Sequence, residues 1–181
     1  MPPQSQRPAE QLRAIAAPTD LIEWVRRLPA DTASRAAWVD APRADWLPYL
    51  AVIRGLNTEA ILRAACACAA ENATRVLEAG PQQARLIAIL HAGAERGKEA
   101  LATADGELAD LRSQMIDWGE RSSPPAWMFW ANLVLDLART SGRGNPIVGI
   151  ALTMKRLANA SGRPGHTDLV ARYRDKLTLA G

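Results

Sequence analysis

The sequence predicts an all-α protein, an antiparallel helical bundle or a short solenoid of about seven to nine helices. Apolar residues recur three and four positions apart through nearly every segment, and no convincing period-two run is present. Proline, glycine, asparagine and serine punctuate the chain at intervals suited to helices. The longest such interval, from Thr58 to Gly80, is rich in alanine, and its stripe of Leu62, Cys66, Ala69, Ala73 and Val76 is small enough for a second helix to approach closely.

Residues 1–18 are polar and proline-rich, with no apolar stretch resembling a secretory signal, and are expected to form a flexible tail ahead of a single domain over 19–181. Asp20 followed by Glu23 has the spacing of a capping box, and Leu21, Trp24, Val25 and Leu28 give a short amphipathic helix before Pro29. A second short helix is expected from Thr32 to Asp40. Ala41-Pro42 breaks the pattern, and Asp45 is placed to cap a third helix that carries Pro48 in its first turn and stops at Gly55. Asn57 or Thr58 then caps the alanine-rich helix.

Gly80 ends that helix and Pro81 opens the next, so the two should form an antiparallel hairpin. The second arm is expected to continue to about Thr103, with Leu86, Leu90, Gly93, Gly97 and Leu101 on one face. Each interior glycine costs about 1 kcal/mol relative to alanine. Close contact with the alanine face would compensate, and fraying is the alternative. Leu108, Leu111, Met115 and Trp118 mark a further helix in an acidic segment. Ser122-Ser123-Pro124-Pro125 supplies the start of a strongly apolar one, whose polar strip is only Asn132, Asp136 and Arg139 and which therefore belongs near the centre. Asn145-Pro146 restarts the chain after the loop Ser141–Gly144, with Ile147, Ile150, Ala151, Met154 and Leu157 facing inward. A break is expected from Gly162 to Gly165. Thr167 would cap the last helix, with Tyr173 and Leu177 buried and Arg172, Arg174 and Lys176 facing water.

No apolar run reaches the roughly 20 residues needed to span a bilayer, so a cytoplasmic protein without membrane contact is expected. The two cysteines, Cys66 and Cys68, lie two positions apart, about 200° around a helix. They should neither pair nor chelate jointly, and a buried pair of inert thiols is the reading favoured. His91 and Glu95 are one turn apart, as in an exposed ion pair, with nothing in sequence placed to complete a metal site. His166 sits in a loop, and Ser141-Gly142-Arg143-Gly144-Asn145 lacks the Lys-Ser/Thr ending of a phosphate loop. The carboxylates Asp105, Glu107, Asp110 and Asp117 read as a solvated helix face. Neither a catalytic constellation nor a cofactor or metal site is predicted.

Charge is uneven. Residues 1–135 carry 14 basic and 16 acidic side chains (net −2), and residues 136–181 carry 8 and 3 (net +5). Among six tryptophans, core packing is the general expectation, and any left exposed would be an interface anchor. Trp38 and Trp46, in short helices, and Arg163, Arg172, Arg174 and Lys176, in the basic tail, are the candidate partner-binding residues.

The segment from Trp46 to Ile89 resembles the alanine-rich helical module of bacterial immunity proteins and their uncharacterised relatives. Ala64-Ala65-Cys66-Ala67-Cys68-Ala69, Pro81, Arg85 and Ile87 carry the likeness. That resemblance implies an all-helical, non-enzymatic protein acting as an immunity or adaptor protein on another protein, and it transfers no catalytic residue. The alternative is a nucleic-acid-binding accessory protein using the basic C-terminal helices, for which weak, salt-sensitive affinity is expected at so modest a charge.

Overall fold

The computed structural model describes residues 8–29, 33–77, 79–118, 126–140, 145–160 and 162–180. Eleven α-helices and no strand are found among them, two more helices than the upper expectation. One extra helix lies in the expected tail. Helix α1 (Pro8–Ala14) buries Leu12 completely and packs on α2 (Thr19–Arg26) and α4 (Leu47–Ile53), with α3 (Ala33–Val39) between them in sequence. It ends with Ala16 at φ 54°, where the Ala17 N–H reaches back to Leu12 O and that of Ala16 to Arg13 O. This is the glycine-type helix stop with alanine in the left-handed position.

Neither Asp20 nor Asp45 caps a helix as expected. The flanking residue at the start of α2 is Pro18 and at the start of α4 is Trp46, and neither accepts a side-chain capping bond. Arg43 has taken both carboxylates. Its Nη1 lies 2.5 Å from Asp20 Oδ2, while Nε and Nη2 grip Asp45 at 3.0 and 2.5 Å. At Asp45 a two-pronged guanidinium bond outcompetes a single bond from a backbone N–H, whereas Asp20, held by one prong, lies inside α2 and still accepts from the Leu21 N–H on its Oδ1 at 2.9 Å.

Local start signals work further on. Asn57 Oδ1 accepts from the Ala60 N–H at 2.8 Å and opens α5 (Thr58–Val76). Pro81 begins α6 (Pro81–Arg96), which packs along α5 as the expected hairpin. Gly93 lets the two helices approach closely, because a Cβ there would lie 2.9 Å from Cys66 Sγ. Gly97 does something else. At φ 63° it breaks the predicted continuous helix and α7 (Lys98–Thr103) restarts beyond it. Helix α5 holds this break from the side: Glu59 Oε1 accepts from the Lys98 N–H at 2.9 Å, and Arg63 Nε donates to Ala94 O at 2.9 Å.

The acidic segment forms α8 (Asp105–Trp118), followed by the strongly apolar α9 (Ala126–Thr140); the expected Ser122–Pro125 start and the Ser141–Gly144 loop lie outside the described residues. Asn145 Oδ1 accepts from the Ile147 N–H at 3.1 Å at the head of α10 (Pro146–Ala160). Helix α11 (Gly162–Leu179) begins where a break was expected. Pro164 falls in its first turn, where a missing N–H costs least. Helix α5 contacts α4, α6, α9, α10 and α11, and α9, as its nearly all-round apolar surface predicts, is packed as widely, against α5, α6, α7, α8 and α10. No described helix is long and apolar enough to cross a membrane.

Candidate functional site

The expected partner-binding residues are largely committed to the fold itself. Trp38 and Trp46 are only 7% and 5% exposed, packed in the core as is generally expected of tryptophan, so neither offers an exposed ring to a partner. Trp46 packs on Trp24 with ring centroids 5.2 Å apart, and the Arg43 and Arg54 guanidinium groups lie 4.8 Å over the rings of Trp46 and Trp38. These contacts tie α2, α3 and α4 together, and large aromatic surfaces dominate such burial.

The basic tail is also turned inward, against expectation. Arg172 pairs with Asp168 at 2.9 Å, and Asp168 is shared with Arg75 on α5 at 3.3 Å. Lys176 pairs with Glu71 on α5, and Arg174 Nη2 donates to Ala41 O at 3.0 Å. Arg172 Nη1 and Arg174 Nε are shielded from solvent. The basic residues on α11 therefore engage separate partners, Arg172 on α11 itself, Arg174 at Ala41 and Lys176 on α5, instead of forming one charged face. Arg163 lies in the first turn of α11, but its side chain, like that of His166, lies outside the described residues. Trp38 does meet the end of α11, with Leu177 and Thr178, around a hollow of about 390 Å³.

Cys66 and Cys68 are free and buried. Burial is the main reason that each thiol is pushed up to about 12, with the Glu59 charge adding to the effect at Cys66. Thiolate, the nucleophilic and metal-binding form, is therefore scarce at neutral pH. Tyr173, completely buried, is raised well above its ordinary value by the same desolvation, followed by the neighbouring cysteines. His91 and Glu95 are both exposed. Among the described residues no three His, Cys, Asp or Glu side chains gather as a metal site would require.

A cleft of about 650 Å³ opens between α7, α8 and α9, larger than the hollow beneath Trp38. Leu101, Leu108 and Leu135 form its floor, and Ala102, Ala109, Ser113 and Ala138 its low walls. Arg112 on α8 and Arg139 on α9 are exposed at its edge, with Asp105 as its carboxylate. The spacing of α8 explains the polarity. Asp105, Leu108, Ala109, Arg112 and Ser113 share one side of that helix, while Glu107 and Asp110 turn toward Arg85 on α6, 3.9 and 3.7 Å away. Nothing local in the sequence marks this cleft. Arg112 and Arg139 lie on separate helices and come to line one cleft only through the pairing of α8 with α9.

Comparison of the chain with protein-family models, with curated proteins and with solved structures finds no match.

Proposed function

We propose that this chain is a non-enzymatic helical protein-interaction module, of the immunity or adaptor kind, that takes part of a partner protein into the cleft between α7, α8 and α9. The observation that carries this reading is the cleft itself: an aliphatic floor, small-residue walls and two arginines at the edge. Such a combination of apolar contact area and arginine is typical of protein interfaces. The basic side chains that would favour nucleic acid are instead spent on Asp168, Glu71 and Ala41 O.

A photo-crosslinking amino acid at exposed Ala109, with a control at exposed Glu23 on α2, tests the reading in cells that express the protein. A discrete protein adduct at Ala109 and none at Glu23 is the expected result. No protein adduct at Ala109 would overturn it. So would tight DNA or RNA binding that persists from about 50 to about 200 mM salt, a range over which unspecific phosphate contacts weaken steeply, and that disappears in Arg172→Ala/Arg174→Ala.

A further inference from the structure

Resting on that reading, we infer that the occupant of the α7–α8–α9 cleft is an acidic amphipathic helix of the partner protein. Four modes by which proteins grip peptides need to be separated. Adding a strand requires an open sheet edge, and every wall here is a helix whose backbone groups are already bonded internally. An extended proline-rich peptide requires aromatic-lined grooves, and no aromatic residue lines this cleft among the described residues. Capture of a phosphorylated segment relies on a cluster of arginines around one point, whereas these two stand on separate helices with Asp105 in the same lining. An apolar helix laid in a groove remains, and the small side chains of Ala102, Ala109, Ser113 and Ala138 permit its close approach.

The dimensions agree. From Asp105 to Ser113 the α8 wall runs about 12 Å, at 1.5 Å per residue. That matches just over two turns of a docked helix, with apolar anchors at i, i+3 or i+4, and i+7 over Ala102, Ala109, Leu135 and Ala138, which cover the buried Leu101 and Leu108. Charge then selects among amphipathic helices. Neither Arg112 nor Arg139 forms an ion pair with another described residue, whereas the neighbouring Arg85 is occupied by Glu107 and Asp110. Among the described residues the edge therefore carries two cations without a carboxylate partner against the one carboxylate of Asp105. Glutamates or aspartates flanking the apolar stripe complement it, and lysines there would be repelled.

The test is a selection from a displayed library of helical peptides, randomised at the apolar and flanking positions, against the full-length protein. Selected peptides should carry net negative charge with apolar residues at the stated spacing. They should bind Arg112→Glu/Arg139→Glu about tenfold or more weakly, and bind the parent less well at about 200 than at about 50 mM salt. Replacing the acidic residues of a selected peptide by lysine should abolish binding to the parent and restore it to the charge-reversed variant. That peptide-side exchange with the parent protein decides the matter even if the variant folds poorly, which circular dichroism would reveal. Neutral or basic winners, or acidic winners indifferent to the exchange, would overturn the acidic-helix assignment. With an Ala109 protein adduct in hand, that result would leave the interaction reading standing; absence of the adduct would remove the reading itself.

Discussion

Replacing Gly93 by alanine pits local helix preference against packing, and the structure says which should win. Alanine is favoured over glycine inside a helix by about 1 kcal/mol. The new Cβ, however, would stand 2.9 Å from Cys66 Sγ, 3.1 Å from Leu101 Cδ2 and 3.4 Å from Cys66 Cβ. Cys66 is fully buried and Leu101 almost so, and the sulfur sits only two bonds from the Cα of α5, so neither can simply swing into solvent. Overfilling a core in this way costs about 1 to 3 kcal/mol, which leaves Gly93→Ala destabilised by about 1 kcal/mol.

Cys66→Ala alone removes a buried atom and should also cost about 1 kcal/mol. Together the two changes should nearly cancel, because the added methyl occupies the space the sulfur vacates. A coupling of about 1.5 to 2 kcal/mol is thus expected from urea unfolding followed by circular dichroism at neutral pH. Gly106→Ala on α8 supplies the control for propensity alone. A Cβ there meets nothing within 4 Å, so this change should stabilise the protein by up to about 1 kcal/mol. Additivity of the Gly93 and Cys66 changes within about 0.5 kcal/mol, or a Gly93→Ala protein more stable than the parent, would refute the close contact between α5 and α6.

Gly97→Ala should cost about 2 to 4 kcal/mol, since φ 63° with ψ −133° is nearly restricted to glycine and the Cβ would fall on Glu59 Oε1; adding Glu59→Ala should recover only the steric part, and full recovery in urea unfolding would contradict the backbone strain. Ala16→Gly should raise stability by about 0.5 to 1 kcal/mol by relieving the left-handed alanine at the end of α1, and a fall in thermal midpoint would show that α1 does not end as described. For Cys66 and Cys68 the folded value of about 12 lies above the ordinary 9.0, so their stabilising contribution is complete below pH 9 and is lost as pH climbs toward 12. At about 1.4 kcal/mol per pH unit, each thiol should remove about 2 kcal/mol by pH 10.5. Under reducing conditions Cys66→Ala/Cys68→Ala should flatten that decline, and an unchanged slope would refute their role.

Much of the helix order is legible because its signals are local. Asn57 caps within three residues, and Pro81 and Pro146 stand at the first helical positions. What escapes the sequence depends on residues far apart. Asp45 is well formed as a cap until Arg43 grips it with two prongs, and the same guanidinium reaches Asp20, 23 positions away and one residue inside the start of α2. Gly93 and Gly97 are alike in sequence, yet only Gly93 faces Cys66, while Gly97 faces Glu59 and turns the chain. Helix α1 was obscured by chemistry of a different kind: alanine holds the position where glycine would have announced a stop. The cleft needs α8 and α9 to be brought side by side, and no spacing within either helix encodes that.

The basic tail shows why a segment's charge is a poor guide to its partner. Net +5 over residues 136–181 counts every cation equally. Folding sorts them. Arg172, Arg174 and Lys176 are drawn to Asp168, Ala41 O and Glu71, and Arg156 is drawn to Asp136 across the α9–α10 pair. An ion pair already formed must be broken before a phosphate or carboxylate from outside can use the cation, which sets that contact's net gain near zero. Arg139, from the same basic segment, and Arg112, from the acidic half, carry no such prior engagement with another described residue and share one cleft. The availability of a cation, more than the sum over its segment, is what directs the proposed binding to α7, α8 and α9.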